Sequence, residues 1–436
     1  MIYPINTSSP KIMHIDLNSC FATIEQQANP HLRGKPIVVA AYTTDSGCIL
    51  SPSIEAKRLG IKTGMRVFEA KLICPNITVK FPDPDKYRDV HKKFMSIFKE
   101  YSPDVVAKSI DEAVIDFTTY MPRKSEKAKE RKREVTNNQI SFSPFLPFSL
   151  SPLIKIAREI KSRLRREVGE WISASVGIGM NRFLAKLGAS IQKPDGLVYI
   201  DSSNLLEIYR RIKLLDFCGI NIRTQTRLAA YGITTPLQFF HADSHFLHKV
   251  VFKSIVGFHW HLEIRGFEVT RREYDRKSYG QQYSIKNKTD DPRELLSILY
   301  RLTEKMGRRL RRAKFMANGI HVGCMYVDRT YLHEGKSYQS AVYTTHDLFK
   351  RAKDIFLSHF QNKKASLISV TSFNLVSVSV LQQELFRDST KKMIVADAMD
   401  RINNRYGEYT IGPALMLNMK NKIYDRIAFG RSAIGE

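Results

Sequence analysis

Several things are scarce in this chain. Only five of its 436 residues are cysteine, Cys20, Cys48, Cys74, Cys218 and Cys324. They are scattered and never form a CxxC pair, which argues against a disulfide framework or a structural zinc and fits a reducing compartment. No apolar run approaches the roughly 18 residues that would cross a bilayer. The opening "MIYPINTSSPKIMHID" lacks the long apolar core of a secretion signal. Negative charge is also short, with 43 Asp and Glu against 69 Lys and Arg, a net charge of +26. Such an excess is unusual for an enzyme of small metabolites and points to a polyanionic partner, nucleic acid or an anionic membrane. No solenoid-type repeat is present.

What is there is enough for two to four domains, with 43% hydrophobic residues to bury. "KIMHID" reads as a strand, "CFATIEQQAN" as a helix stopped at Pro30, and "KPIVVAAY" as a strand. Residues 48–75 read as short helices punctuated by Gly60 and Gly64. The stretch 84–103 is an amphipathic helix, with Val90, Phe94, Ile97 and Phe98 on one stripe. "VVAKSIDEAVIDF" reads strand, bend, strand. Residues 121–152, first rich in charge and then in Ser, Pro and Phe, interrupt this order as a mobile insertion. A helix over 153–169, a strand "ISASVGIGM" and a helix "NRFLAKLGASIQKPDG" come next, then a helical stretch over 205–265. Beyond a charged connector, strand, helix, strand, strand, helix and strand alternate as βαββαβ.

Acidic residues are scarce overall, yet three fall at strand ends. Asp16 closes one predicted strand, and Asp111 and Glu112 sit at the bend between two others. Asp116, further along, reads as structural. If the strands share a sheet, the three carboxylates converge, repel one another and require a cation. All-oxygen ligation without a nearby His or Cys cluster favours Mg²⁺ or Mn²⁺, the metals of phosphoryl and nucleotidyl transfer. On spacing alone, an isolated Asp–Glu pair is more often a solvated turn.

The segments "HIDLNSCFATIEQ", "NPHLRGKPIVV", "SIEAKRLGIKTGM", "YSPDVVAKSIDEAVID" and "SASVGIGMNRFLAKLGASIQKPDGL" together resemble, in order, the Y-family of translesion DNA polymerases. The resemblance implies an α+β right-hand fold. Its palm would span 1–27 and 84–199 with the 121–152 insertion, and its fingers 28–83. A helical thumb over 200–268 would carry a helix-hairpin-helix. A 269–277 linker, a βαββαβ little finger over 278–380 and a 381–436 tail would complete it. It implies that Asp16, Asp111, Glu112 and the Leu17 carbonyl hold two Mg²⁺ ions, with Mn²⁺ as a substitute. Phe21 would be the steric gate against ribonucleotides. Ser19, Cys20, Phe21, Ser51, Lys57 and Lys193 would meet the triphosphate.

The fingers depart from a common pattern. Ile54 and Lys57 stand where many members carry Tyr and Arg, and "EAKRLGIKTG" is closer to the polymerase V catalytic subunit. The implied DNA contacts are Gly219 and Asn221 in "GIN", where the family usually has Gly-Ile-Gly, and Arg308, Arg309, Arg311 and Arg312 on a basic helix face. "LQQELF" resembles the bacterial sliding-clamp peptide, through Gln382, Leu385 and Phe386. The expected partners are primer-template DNA, a deoxynucleoside triphosphate, the sliding clamp and SOS accessory subunits, with no membrane. The expected place is the cytoplasm, at the nucleoid. Two rivals stand beside this reading, a non-catalytic adaptor with the polymerase fold and a metal-dependent nuclease.

Overall fold

The structure, a computed structural model, describes residues 3–119, 151–269, 276–380, 389–407 and 409–416. They fall into two compact units, one before and one after residue 271.

The first unit begins with β1 (Ile12–Leu17), α1 (Cys20–Ala28), β2 (Ile37–Ala40), β3 (Ile49–Pro52), α2 (Ile54–Arg58), α3 (Val67–Ile73) and β4 (Thr78–Lys80). It continues through α4 (Pro84–Lys99), β5 (Val105–Ala107), β6 (Glu112–Asp116), α5 (Pro152–Arg163), β7 (Ala174–Gly179), α6 (Arg182–Ile191) and β8 (Leu197–Tyr199). Five of the strands form one sheet in the order β5-β6-β1-β7-β8. The central strand β1 is antiparallel to both β6 and β7, and all of it is buried except half-buried Asp16.

Helices reach this sheet by local means. Asp83 caps α4 by accepting from the Lys86 N–H at 3.1 Å, with Pro84 in the first turn. Tyr87, His91, Phe94, Ile97 and Phe98 then line one buried face at steps of three and four. The docking of α6 depends on two glycines of β7. A Cβ on Gly177 would stand 2.0 Å from the Ala185 carbonyl oxygen, and one on Gly179 would stand 2.6 Å from the Ala185 nitrogen. Only a bare backbone lets the helix lie this close.

The second sheet of this unit has the order β3-β2-β4. It corrects the helical reading of 48–75, since Ile49–Pro52 is a strand paired with β2. Its four residues are too few to show a period, and β2 beside it is buried on both faces. The insertion also ends earlier than expected. Ser151 accepts from the Leu153 N–H at 3.4 Å and starts α5 at Pro152. Residues 121–150 lie outside the described residues.

Helices α7 (Leu205–Arg211), α8 (Ile222–Ala229), α9 (Pro236–His241), α10 (Ser244–Phe246) and α11 (Val256–Glu263) complete the unit. They pack around Tyr209, Phe217, Phe239 and Trp260. Arg265 is fully buried there, with its guanidinium 4.4 Å from the Phe240 ring centre and donating to the carbonyls of Tyr3, His261 and Phe240.

The second unit is β9 (Ser278–Thr289), α12 (Pro292–Arg312), β10 (Phe315–Tyr326), β11 (Tyr331–Val342), α13 (Thr345–His359) and β12 (Ala365–Ser377), followed by α14 (Ser389–Tyr406). Its sheet is antiparallel in the order β11-β10-β12-β9, the expected βαββαβ pattern. Leu302, Met306 and Leu310 of α12 are buried in its core, as the helical spacing predicts.

Candidate active site

The acids meet through backbone register. Asp16 and Glu112 are direct partners across β1 and β6, and the Leu17 N–H donates to the Asp111 carbonyl at 3.0 Å. Antiparallel pairing therefore brings positions far apart in the chain to one sheet end. Asp111 precedes the first residue of β6, and its carboxylate accepts from the Ser109 hydroxyl. Burial first, then repulsion from Asp16 and Glu112, lifts the Asp111 carboxyl above the usual carboxylate range. Glu112 goes the other way. Burial alone would raise it, but His14 and Lys186 outweigh burial and hold it at about 2.

One histidine, which the sequence reading did not single out, stands beside the acids. His14, two residues before Asp16 and on the same face of β1, brings its Nε2 to 3.4 Å from Glu112 Oε2. One donor atom each from His14, Asp16 and Glu112 lies within 4.8 Å of the others.

Beside the acids opens a cavity of about 410 Å³, lined by Asp16, Leu17, Ser19, Cys20, Phe21, Ser51, Lys57, Asp111 and Lys193, among others. Lys193 Nζ is 2.7 Å from Asp16 Oδ2. Its loop is tied down by a polar chain in which the Gly196 N–H donates to Ser175 Oγ at 3.3 Å and Ser175 Oγ donates to Asn18 Oδ1 at 2.9 Å. The pKa of Lys57 falls below the ordinary ammonium value through desolvation and the charge of Lys193.

Ser19 holds the left-handed conformation, φ 49°, just before α1, and its buried hydroxyl has no hydrogen-bond partner among the described residues. Ser51 has a structural task as well, for its hydroxyl accepts from the Ala22 N–H at 3.4 Å and joins β3 to α1. Phe21 is 1% exposed and stacks on Tyr87, with ring centres 4.4 Å apart and planes 9° from parallel. Tyr87 is itself pinned, its hydroxyl donating to Glu25 at 3.0 Å. The candidate gate is thus a backed, rigid ring at the cavity wall.

In the helical part, Gly219 has φ 102°, as a tight hairpin requires. Asn221 is not left-handed. Its backbone is extended, and its side chain caps α8 by accepting from the Thr224 N–H at 2.9 Å. Asparagine therefore replaces the expected glycine as a helix cap.

The four arginines of α12 separate. Arg312 is exposed. Arg309 donates to the Gly280 carbonyl at 3.3 Å, and Arg308 to Asn404 of α14 at 2.7 Å. Arg311 corrects the expectation of a phosphate contact. It is 4% exposed and forks onto both carboxylate oxygens of Asp400 at 2.6 and 2.8 Å, with the Tyr343 carbonyl and the Thr345 hydroxyl as further acceptors. The helical charge run did not reveal that α14 returns to cover this arginine. Gln382, Leu385 and Phe386 lie outside the described residues.

Reasoning from the sequence missed His14, Tyr87, Arg58 and Lys186. Arg58 lines the cavity, and Lys186 Nζ is 2.7 Å from Glu112 Oε2. No short window carried a signal for them, since Lys186 stands on α6 while Lys193 lies beyond its end.

Converging acids at the end of the antiparallel β1–β6 pair, a cationic nucleotide-sized cavity and a βαββαβ unit define a polymerase of the right-hand type. The impB/mucB/samB family matches residues 15–190, and the C-terminal domain of the same family matches residues 276–385. The chain belongs to this family, the Y-family DNA polymerases. It is 28% identical over 405 residues to DNA polymerase IV 1 of Bacillus subtilis (strain 168), covering 91% of this chain and 90% of that protein. It is 29% identical over 427 residues to DNA polymerase IV of Moorella thermoacetica, covering 96% and 99%. Among solved structures, a Y-family DNA polymerase chimera of Dbh and Dpo4 shares the fold, with TM-score 0.67, 22% identity and coverage of 84% of this chain and 99% of that one.

Proposed function

We propose that this Y-family DNA polymerase extends a DNA primer on a template, past damaged bases, by nucleotidyl transfer at a two-ion centre held by Asp16, Asp111, Glu112 and the Leu17 carbonyl. The donor set fits hard divalent cations. Burial, and then the neighbouring carboxylates, make Asp111 resist ionisation, and the pairing of β1 with β6 fixes the acids at one sheet end. When bound, two Mg²⁺ ions supply Lewis acidity to the primer hydroxyl and the triphosphate.

The protein's own groups do the rest. Lys193 and Lys57 present positive charge to the triphosphate, and the first residues of α1 line the same cavity. Phe21, held by Tyr87, fills the space a ribose 2′-hydroxyl would need. Arg308, Arg309 and Arg312, with the hairpin at Gly219, supply sequence-independent contacts to the DNA backbone. Gln382, Leu385 and Phe386 would seat the tail on a sliding clamp, and the polymerase V-like fingers leave room for SOS accessory subunits. DNA binding would hold the enzyme at the nucleoid.

The single observation that carries this reading is the register pairing of Asp16 with Glu112 beside Lys193. Primer extension tests it. Mg²⁺-dependent lengthening with deoxynucleotides supports it. Primer shortening would indicate a nuclease, and DNA binding without either would indicate an adaptor. Leu385→Ala with Phe386→Ala should weaken clamp binding and spare distributive extension; intact clamp binding rejects that assignment.

A further inference from the structure

One oxygen of Glu112 is bonded by Lys186 and faced by His14, two residues to which the reaction above gives no role. Lys186 Nζ donates to Glu112 Oε2 at 2.7 Å, and His14 Nε2 lies 3.4 Å from the same atom. His14 is 1% exposed, and its Nε2 has no hydrogen-bond partner among the described residues, so the ring is aimed at Glu112 without being satisfied elsewhere. Both residues sit on rigid elements. His14 is within the central strand, and α6 is fixed against β7 by the two glycines that admit it. The Lys186 side chain keeps 38% of its exposure, so burial does not force it onto the carboxylate. A lysine with access to water that still closes to 2.7 Å is held there by charge and geometry.

We propose that Lys186, backed by His14, is a positioning residue. It holds Glu112 by Oε2 so that the other oxygen is presented to the ions, and its charge opposes cation binding at the same carboxylate. This inference rests on the two-ion reading. It has two consequences of opposite sign. Removing the ammonium takes a repelling charge away from the cations, so they bind more tightly. It also frees the carboxylate to rotate, so turnover falls. A lysine needed only for folding would lower both.

The test compares Lys186→Met, Lys186→Arg and Glu112→Gln with the wild type. Mn²⁺ binding to the protein alone is read by electron paramagnetic resonance. Single-turnover extension with Mg²⁺ and the unfolding temperature are measured beside it. For Lys186→Met the expected result is roughly 3- to 10-fold tighter Mn²⁺. The extension rate should be about 10-fold slower. Half-saturation by the nucleotide should move less than about twofold, since uniform binding is untouched. Lys186→Arg, which keeps charge and donor, should restore both readouts most of the way. An unchanged extension rate in Lys186→Met, or weaker Mn²⁺ together with slower extension, overturns the inference. Glu112→Gln separates the two claims. If it loses Mn²⁺ affinity and extension while Lys186→Met behaves as wild type, only the role of Lys186 fails. If it keeps both, the two-ion reading fails and this inference with it.

Discussion

Asp16 and Glu112 are partners across β1 and β6, and each carboxylate is met by a lysine at 2.7 Å, Lys193 on Asp16 and Lys186 on Glu112. Both lysines come from one stretch, α6 and the loop after it. The glycines of β7 that let α6 approach the sheet are therefore part of how the site is charged. Backbone pairing places the acids, and helix docking places the opposing cations.

The stack of Phe21 on Tyr87 makes sugar selection a two-residue property. Phe21→Ala should raise ribonucleotide incorporation by about tenfold or more, as expected when a shape contact is removed. Tyr87→Leu, which leaves the gate but withdraws its backing, should give a smaller rise. Competition between a ribo- and a deoxynucleoside triphosphate reads both. Unchanged selectivity in Phe21→Ala would remove the gate assignment.

Arg311 and Arg312 are neighbours with opposite environments. Arg311→Gln should destabilise the second unit, by about 3 kcal/mol for breaking a buried pair with Asp400, and lower its unfolding temperature. Arg312→Ala should leave stability unchanged, weaken DNA binding and reduce the salt slope by about one. DNA titrations at two salt concentrations, with thermal unfolding, check the contrast. A stable Arg311→Gln with weakened DNA binding would reverse the assignment.

His261 sets a pH limit on the helical part of the first unit. Its Nε2 accepts from the Tyr3 N–H at 3.3 Å and its Nδ1 lies 3.2 Å from the Ala242 carbonyl, a pattern that needs the neutral ring. Burial first, and the charge of Arg265 second, depress its pKa to about 4. A histidine depressed in the fold binds fewer protons there than in the unfolded chain. Its stabilisation is therefore full above about pH 6.5 and is lost as pH falls toward about 4, by at most about 1.4 kcal/mol per unit. Urea unfolding across this range should show the decline in the wild type and a flatter profile in His261→Gln. Identical profiles would contradict the account.

How much of this could be read from the sequence follows from which signals are local. The strand ending at Asp16, the bend at Asp111 and Glu112 and the long amphipathic helices are written in short windows, and the structure has them. Ile49–Pro52 escaped because a four-residue strand beside a strand buried on both faces has no period to read. His14 and Lys186 escaped because their meaning lies in a shared partner, Glu112, which only sheet register and helix docking bring near. Arg311 was misread because its partner Asp400 is 89 residues away on α14. The cap that Asn221 gives α8 is a local signal, since asparagine is a favoured helix-capping residue.

The most direct test of the central claim is the single-turnover rate of primer extension by Asp111→Ala with Mg²⁺, measured alongside its affinity for primer-template DNA. The account predicts a fall of about 10³-fold, the loss of several kcal/mol of transition-state charge stabilisation, with DNA affinity and unfolding temperature near those of the wild type. Extension within a few-fold of the wild type would contradict it, because the acids at this sheet end would then not hold the ions on which the chemistry depends.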